Sequence, residues 1–171
     1  MNALHQATQI HTAMAKHFPE HKATFDSGFA ALKGQLSKLD GELQEISKEL
    51  GQTPILCSHP AYNYVGKRYN WNLRNLDLDP ETELTAEQLQ QIRTIRKDHP
   101  ARILLWEGTP SEAVARQTEA LGLRNAVFSP CEAKPSDQEA DYIRVMNGNL
   151  KALRAALSGG KAGGLRVNEQ Q

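Results

Sequence analysis

His59 closes a short apolar run, Pro54-Ile55-Leu56-Cys57-Ser58, and stands directly before Pro60 and an aromatic-rich stretch, Ala61 to Tyr69. A histidine delivered to the carboxyl end of a buried strand is placed for chemistry, because open parallel α/β sheets bind ligands along that edge. The plainer reading is that it caps the helix behind it. Other strand ends carry polar groups too: Asp77 and Asp79 with Glu81 and Glu83 behind them, Glu107 after Leu104-Leu105-Trp106, and Ser129, Cys131 and Glu132 after Val127-Phe128. A neutral imidazole converging with a carboxylate suits Zn2+ or another first-row divalent cation. Zinc takes three or four protein ligands, so His59 and Glu107 need help from Cys131, Glu132, water or another lobe. As a thiolate Cys131 would serve, and affinity would then fall with decreasing pH. Otherwise it is a small buried apolar group, or half of a bond with Cys57.

Two unlike halves must position these groups. From Asn2 to Phe18 an apolar stripe falls at Leu4, Ala7, Ile10, Met14 and Phe18, the steps of an amphipathic helix, and Pro19 interrupts it. A second stripe, Phe25, Phe29, Leu32, Leu36, Leu39, Leu43, Ile46 and Leu50, predicts a helix over 20–49 about 45 Å long. Gly28, Gly34 and Gly41 each weaken it by up to about 1 kcal/mol, so packing must hold it. A coiled coil is the weaker reading of the same stripe.

From Gln52 onward strands alternate with helices. Strands are expected over 54–58, 71–77, 101–107 and 124–128, with helices through Tyr69 and over 85–98, 111–121 and 136–157. Thr85 with Gln88 reads as a capping box, and Ser111 as a second cap. Near-continuous apolar strands, each followed by a helix, indicate an α/β lobe with a four-stranded parallel sheet covered on both faces. An order of 2-1-3-4 makes strands one and three neighbours, so that His59 and Glu107 face one crevice. The expected divisions are 1–50, helical; 51–157, the α/β metal-binding lobe; and 158–171, a flexible tail.

Composition narrows the partners. Twenty basic and twenty acidic side chains cancel, which argues against nucleic acid or an anionic membrane as the main partner. No apolar stretch approaches the roughly 20 residues of a membrane span, and no secretory signal is read at the amino terminus. The two cysteines are too few for a disulfide scaffold and lack metal-binding spacing.

From about Asn2 to Leu157 the chain resembles the carboxyl-terminal part of the periplasmic solute-binding proteins of zinc and manganese ABC transporters. The matching residues are Ser58-His59-Pro60-Ala61-Tyr62-Asn63-Tyr64 with Lys67-Arg68-Tyr69, Leu104-Leu105-Trp106-Glu107-Gly108, Val127-Phe128-Ser129-Pro130-Cys131, and Tyr142-Ile143-Arg144-Val145-Met146 with Asn149-Leu150. The resemblance implies two α/β lobes joined by a long helix, with the metal between them and an ABC permease as partner. It implies a periplasmic location and no enzymatic activity. His59 matches the family's ligand position before the aromatic helix. Two further histidine ligands belong to an amino-terminal lobe that this chain is expected to lack, and Ser129 stands nearest to an expected aspartate. The metal ligands expected here are thus His59, Glu107, Cys131 and Glu132. Zinc is preferred, with manganese as the alternative, because nitrogen and sulfur ligands favour zinc.

Two other classes compete. A small flavodoxin-like hydrolase would use His59 as base, oriented by Glu107 or Asp77, with Cys57, Ser58 or Ser129 as nucleophile. A metal-free interaction protein would pack the exposed long helix against a second copy as a homodimer. His5, His11, His17 and His21 read as solvated helix face, although His17 and His21 have the spacing of one helical turn. His99 reads as a helix terminus, Trp106 as core, and Tyr62, Tyr64 and Tyr69 mostly as packing.

Overall fold

The computed structural model describes residues 2–132 and 141–159. Helix α1 spans Asn2–His17, a single 3-10 turn follows over Pro19–His21, and helix α2 spans Lys22–Leu50. Pro19 makes the break because its ring removes an N–H donor and fits only the first turn of a new helix. The break also parts His17, the last residue of α1, from His21 in the turn. They do not share one helical face, so their one-turn spacing is lost.

Residues up to Glu45 and those from Ile46 onward form two compact units. In the first, the His11 ring stacks on Phe29 with centroids 4.5 Å apart, and its Nε2 lies 2.8 Å from Asp26 Oδ1. Lys22 above all, and His11 after it, hold the Asp26 carboxyl below its ordinary range.

The second unit is the α/β lobe. Its elements are β1 (Pro54–Cys57), a 3-10 turn (Pro60–Tyr62), α3 (Asn63–Tyr69), β2 (Asn72–Asn75), α4 (Ala86–Ile95), β3 (Ile103–Trp106), α5 (Glu112–Ala120), β4 (Arg124–Val127) and α6 (Tyr142–Leu157). The four strands form one parallel sheet ordered β2-β1-β3-β4. The order follows polarity. Ile55, Leu56 and Cys57 and all of Ile103–Trp106 are fully buried, as strands covered on both faces must be, whereas β2 and β4 carry Asn and Arg and take the edges. Leu56, Leu104 and Trp106 join Leu76, Leu78, Leu84, Ile92, Val114 and Leu123 in one apolar cluster. Among the described residues no helix is long and apolar enough to cross a membrane.

Local signals set the boundaries. Thr85 and Gln88 form the reciprocal capping box at α4, and Ser111 Oγ accepts from Val114 N–H at α5. Asn70 closes α3 in the left-handed region at φ 57°. Gly66 lets α3 approach the sheet: a Cβ there would come within 2.6 Å of Leu73 Cδ1. Helix α6 starts at Tyr142 with Asp141 as its cap; the expected start near Ser136 lies outside the described residues.

Two expectations need correction. The second strand's ladder ends at Asn75, short of Asp77, yet Leu76 N–H donates to Cys57 C=O at 2.8 Å and Leu78 N–H to Ser58 C=O at 3.1 Å. The chain therefore keeps β1 company beyond the regular ladder. His99 is more than a helix terminus. It is only 4 % exposed, and its Nε2–H donates to the Ile55 carbonyl at 3.0 Å, tying the end of the α4 segment to β1.

Candidate metal centre

The site is built where β1, β2 and β3 end together. Ser58 N–H donates to Leu105 C=O at 2.8 Å, which carries the β1–β3 pairing to the rim. His59 follows in extended conformation, φ −140° and ψ 165°, as the residue that opens the Pro60–Tyr62 turn. Proline at the first position of that turn is preorganised for it, so the chain bends at once and leaves the imidazole at the sheet edge.

Two carboxylates flank the ring. His59 Nδ1 lies 3.4 Å from Glu107 Oε1, and Nε2 lies 3.1 Å from Asp77 Oδ1. The His59 and Glu107 side chains are about one-third exposed, at 32 % and 30 %, whereas Asp77 is 98 % exposed. Glu107 is held by the end of a fully buried strand; Asp77 is held by its neighbours Leu76 and Leu78 and by its own carbonyl, which accepts from Gln88 Nε2 at 3.1 Å. Leu76 and Leu78 are buried at 5 % and 1 %, and that alternation turns Asp77 outward beside the ring. Nδ1 is buried and has no hydrogen-bond partner among the described residues.

The turn after β4 makes the far side of the rim. Phe128 N–H donates to Trp106 C=O at 2.7 Å, holding it against the end of β3. Asn149, on α6 and 4 % exposed, then clamps Ser129 from both sides. Its Oδ1 accepts from Ser129 N–H at 2.9 Å, and its Nδ2 donates to Ser129 C=O at 2.8 Å. Cys131 N–H donates to Ser129 Oγ at 3.2 Å, and Cys131 takes a left-handed φ of 63°. Burial pushes the Cys131 thiol upward, so it meets a cation as a thiol that must first lose its proton.

Replacing Asn149 by Ala strips the Ser129 peptide groups of both partners. The expected cost is about 1–3 kcal/mol, the penalty for unsatisfied buried polar groups, read as a lower denaturation midpoint with an unchanged m-value.

Among the described residues no group of three or more His, Cys, Asp or Glu side chains is placed to hold a metal ion. The structure brings His59 together with Glu107 and with Asp77, but does not gather His59, Glu107, Cys131 and Glu132 into one ready-made set. Both cysteines are free, so the Cys57–Cys131 bond considered above is not formed. Burial pushes the Cys57 thiol up to about 12, and Ser58 is wholly buried. Two of the three alternative nucleophiles of the hydrolase reading are therefore withdrawn from solvent. Asp77 as a neighbour of the ring and Asn149 as a clamp were not read from sequence as parts of a metal site; the Leu-Asp-Leu alternation was the available signal for the first.

Comparison with known proteins follows the same outline. The family model described as "ZnuA: Zinc-uptake complex component A periplasmic" matches residues 1–156. The zinc-binding lipoprotein AdcA of Streptococcus pneumoniae (strain ATCC BAA-255 / R6) is 27% identical over 159 residues, covering 90% of this chain and 32% of AdcA. The high-affinity zinc uptake system protein ZnuA of Bacillus subtilis (strain 168) is 24% identical over 157 residues, covering 89% of this chain and 49% of that protein. Among solved structures, the Zn(II)-bound ZnuA-like domain of S. pneumoniae AdcA superposes with a TM-score of 0.77 at 26% identity, covering 86% of this chain and 57% of that one. The metal-dependent lipoprotein YcdH of B. subtilis gives 0.78 at 23%, covering 87% and 58%, and supports the fold alone. The chain thus spans less than two thirds of the length of each of these relatives. With the family model matched over residues 1–156, the chain belongs to the family described as zinc-uptake complex component A, periplasmic.

Proposed function

We propose that this chain binds zinc as part of an ABC uptake system outside the cytoplasmic membrane, with His59 and Glu107 as the core of its half of the site. The observation that carries this reading is the buried Nδ1 of His59, which makes no hydrogen bond among the described residues and lies 3.4 Å from Glu107 Oε1. Two ligands of one tetrahedral zinc, each about 2.0–2.1 Å from it, stand roughly 3.3–3.4 Å apart. Asp77 on the other nitrogen is then the acceptor of Nε2–H, the carboxylate–histidine–zinc arrangement that fixes the tautomer and raises ligand basicity. Glu132 and Cys131, on the turn after β4, are the groups proposed to approach the cation when it enters. Nitrogen beside oxygen favours zinc over manganese.

The relatives' names support the cargo, since AdcA and ZnuA are zinc proteins by description. Delivery to a permease is proposed on the same ground. Calorimetric titration of the full chain with zinc at neutral pH tests the reading. One zinc per chain is expected, with weaker binding as pH falls because protons compete for the imidazole. No heat and no bound zinc by elemental analysis would end it.

A further inference from the structure

The rim that carries His59 is flanked by groups of opposite charge on the two faces of the sheet. Side chains alternate along a strand, so the ladder partners Ile55, Leu73 and Ile103 share one face, and Leu56 and Leu104 share the other. Helix α3 covers the first face, where Gly66 meets Leu73. Helix α4 covers the second, where Ile92 packs in the cluster of Leu56 and Leu104. Helix α3 carries Lys67 and Arg68, both exposed, and no acidic residue. The segment that leads from β2 into α4 carries Asp77, Asp79, Glu81 and Glu83, all exposed, and no basic residue. The two begin side by side, since Asn75 Nδ2 at the end of β2 donates to Asn63 Oδ1 at the start of α3, at 2.8 Å. On the first turn of α3, Tyr64 is 82 % exposed, the most of any large apolar side chain among the described residues.

A rim of this kind is self-complementary. A two-fold axis along the sheet edge exchanges the faces, so α3 of one copy meets the acidic segment of the other, and the reverse. Zinc gives the pairing a purpose. His59 and Glu107 are two ligands where zinc takes three or four, and among the described residues no group of three is placed to hold the ion. We propose that the zinc-loaded chain is a homodimer closed rim to rim. The acidic segment of each copy lends a carboxylate of Asp79, Glu81 or Glu83 to the zinc on the other copy's His59 and Glu107. The inference rests on the zinc-binding reading above and keeps one zinc per chain. Lys67 and Arg68 draw the segment over the turn that His59 opens, and Tyr64 is covered as it docks, an aromatic anchor of the kind that interfaces favour. Without zinc, Glu107 and Asp77 add to the negative charge of the edge, and like charges keep the copies apart. The cation cancels that repulsion and bridges them.

Sedimentation velocity of the full chain with and without zinc tests this. The expected result is a monomer without zinc and a dimer with it. A chain that holds zinc as a monomer would overturn the inference and leave the zinc reading standing, and so would a dimer equally strong without zinc. The triple variant Asp79→Asn/Glu81→Gln/Glu83→Gln removes the lent carboxylates. It keeps the local turn, because an amide oxygen at position 79 still accepts the backbone N–H of position 81. It should stay monomeric in zinc and bind the ion at least roughly 10–100-fold more weakly, the loss that removing even an orienting group brings. Unchanged affinity in this variant would sink the proposal. His59→Ala keeps the acidic segment but loses the imidazole, so it and the triple variant each lack what the other supplies. Mixed in equal amounts they should recover dimers holding one tight zinc per two chains, whereas a mixture no better than its parts would refute the exchange of ligands. A wild-type chain that binds no zinc would remove the underlying reading and this inference together.

Discussion

His59→Ala is expected to weaken zinc binding by about 100-fold or more, above the upper end of what loss of a mere ligand-orienting group costs. The physical reason is the composition of the rim. His59 is the one nitrogen donor that the described structure brings to the carboxylates, and zinc prefers imidazole to a water-exposed carboxylate. Without the ring, Glu107 is one-third exposed and Asp77 is almost wholly exposed, so water competes for the cation at both. The change should leave the folded lobe nearly as stable as before. The two ion pairs that are lost are partly or largely solvated, and such pairs are worth roughly 0–1 kcal/mol. That separation gives the measurement its force. In wild type, zinc at 100 times its Kd should stabilise the fold by about 2.7 kcal/mol through binding alone. In His59→Ala the same zinc should give almost no rise in melting temperature, while the zinc-free melting temperature stays put. A full zinc-dependent rise in the variant would take His59 out of the site.

Much of this geometry was legible in the sequence, and the reason lies in which residues fix it. Ile55-Leu56-Cys57 and Ile103-Leu104-Leu105-Trp106 are too apolar to sit anywhere but the centre of a sheet covered on both faces, and both are fully buried. Once these runs are neighbours, the residues that follow them, His59 and Glu107, must share an edge. The edge positions of β2 and β4 fit the polar Asn and Arg residues that they carry. Thr85 and Ser111 marked helix starts because a cap is a local interaction between residues three apart.

What the sequence did not reveal depends on partners far along the chain. His99 reaches Ile55, 44 residues away, and nothing near His99 announces a buried acceptor. Asn149 clamps Ser129 across 20 residues, and an asparagine on a helix reads as surface until that turn is folded beneath it. The pairing of His17 with His21 failed for the opposite reason. Its spacing is correct for a helix, but Pro19 ends one helix and starts a new turn between them. Tyr62 read as packing, which its ring does.

Trp106→Ala should cost about 3–5 kcal/mol of stability, the largest effect of any single substitution considered, because it removes the bulkiest wholly buried side chain and leaves a cavity. Trp106 sits in the central strand β3, within the cluster formed by Leu56, Leu104, Ile92 and Val114. Its indole Nε1–H donates to Asn125 Oδ1 at 2.8 Å, and Thr118 Oγ1 reaches the same oxygen at 2.9 Å, so the loss also unpicks a small polar network under α5. Small domains are stable by only about 5–15 kcal/mol, so the loss takes a large share of the total stability. Zinc binding should fall with it, because Glu107 is the next residue and loses its anchored backbone. Trp106→Phe separates packing from the hydrogen bond. It restores most of the ring volume and should recover more than half of the lost stability, with Asn125 still bonded to Thr118. Denaturant unfolding of the three chains checks this. If Trp106→Ala lowered stability by less than 1 kcal/mol, the β3 core would not be the platform that sets Glu107 against His59, and the rim would have to be held from elsewhere.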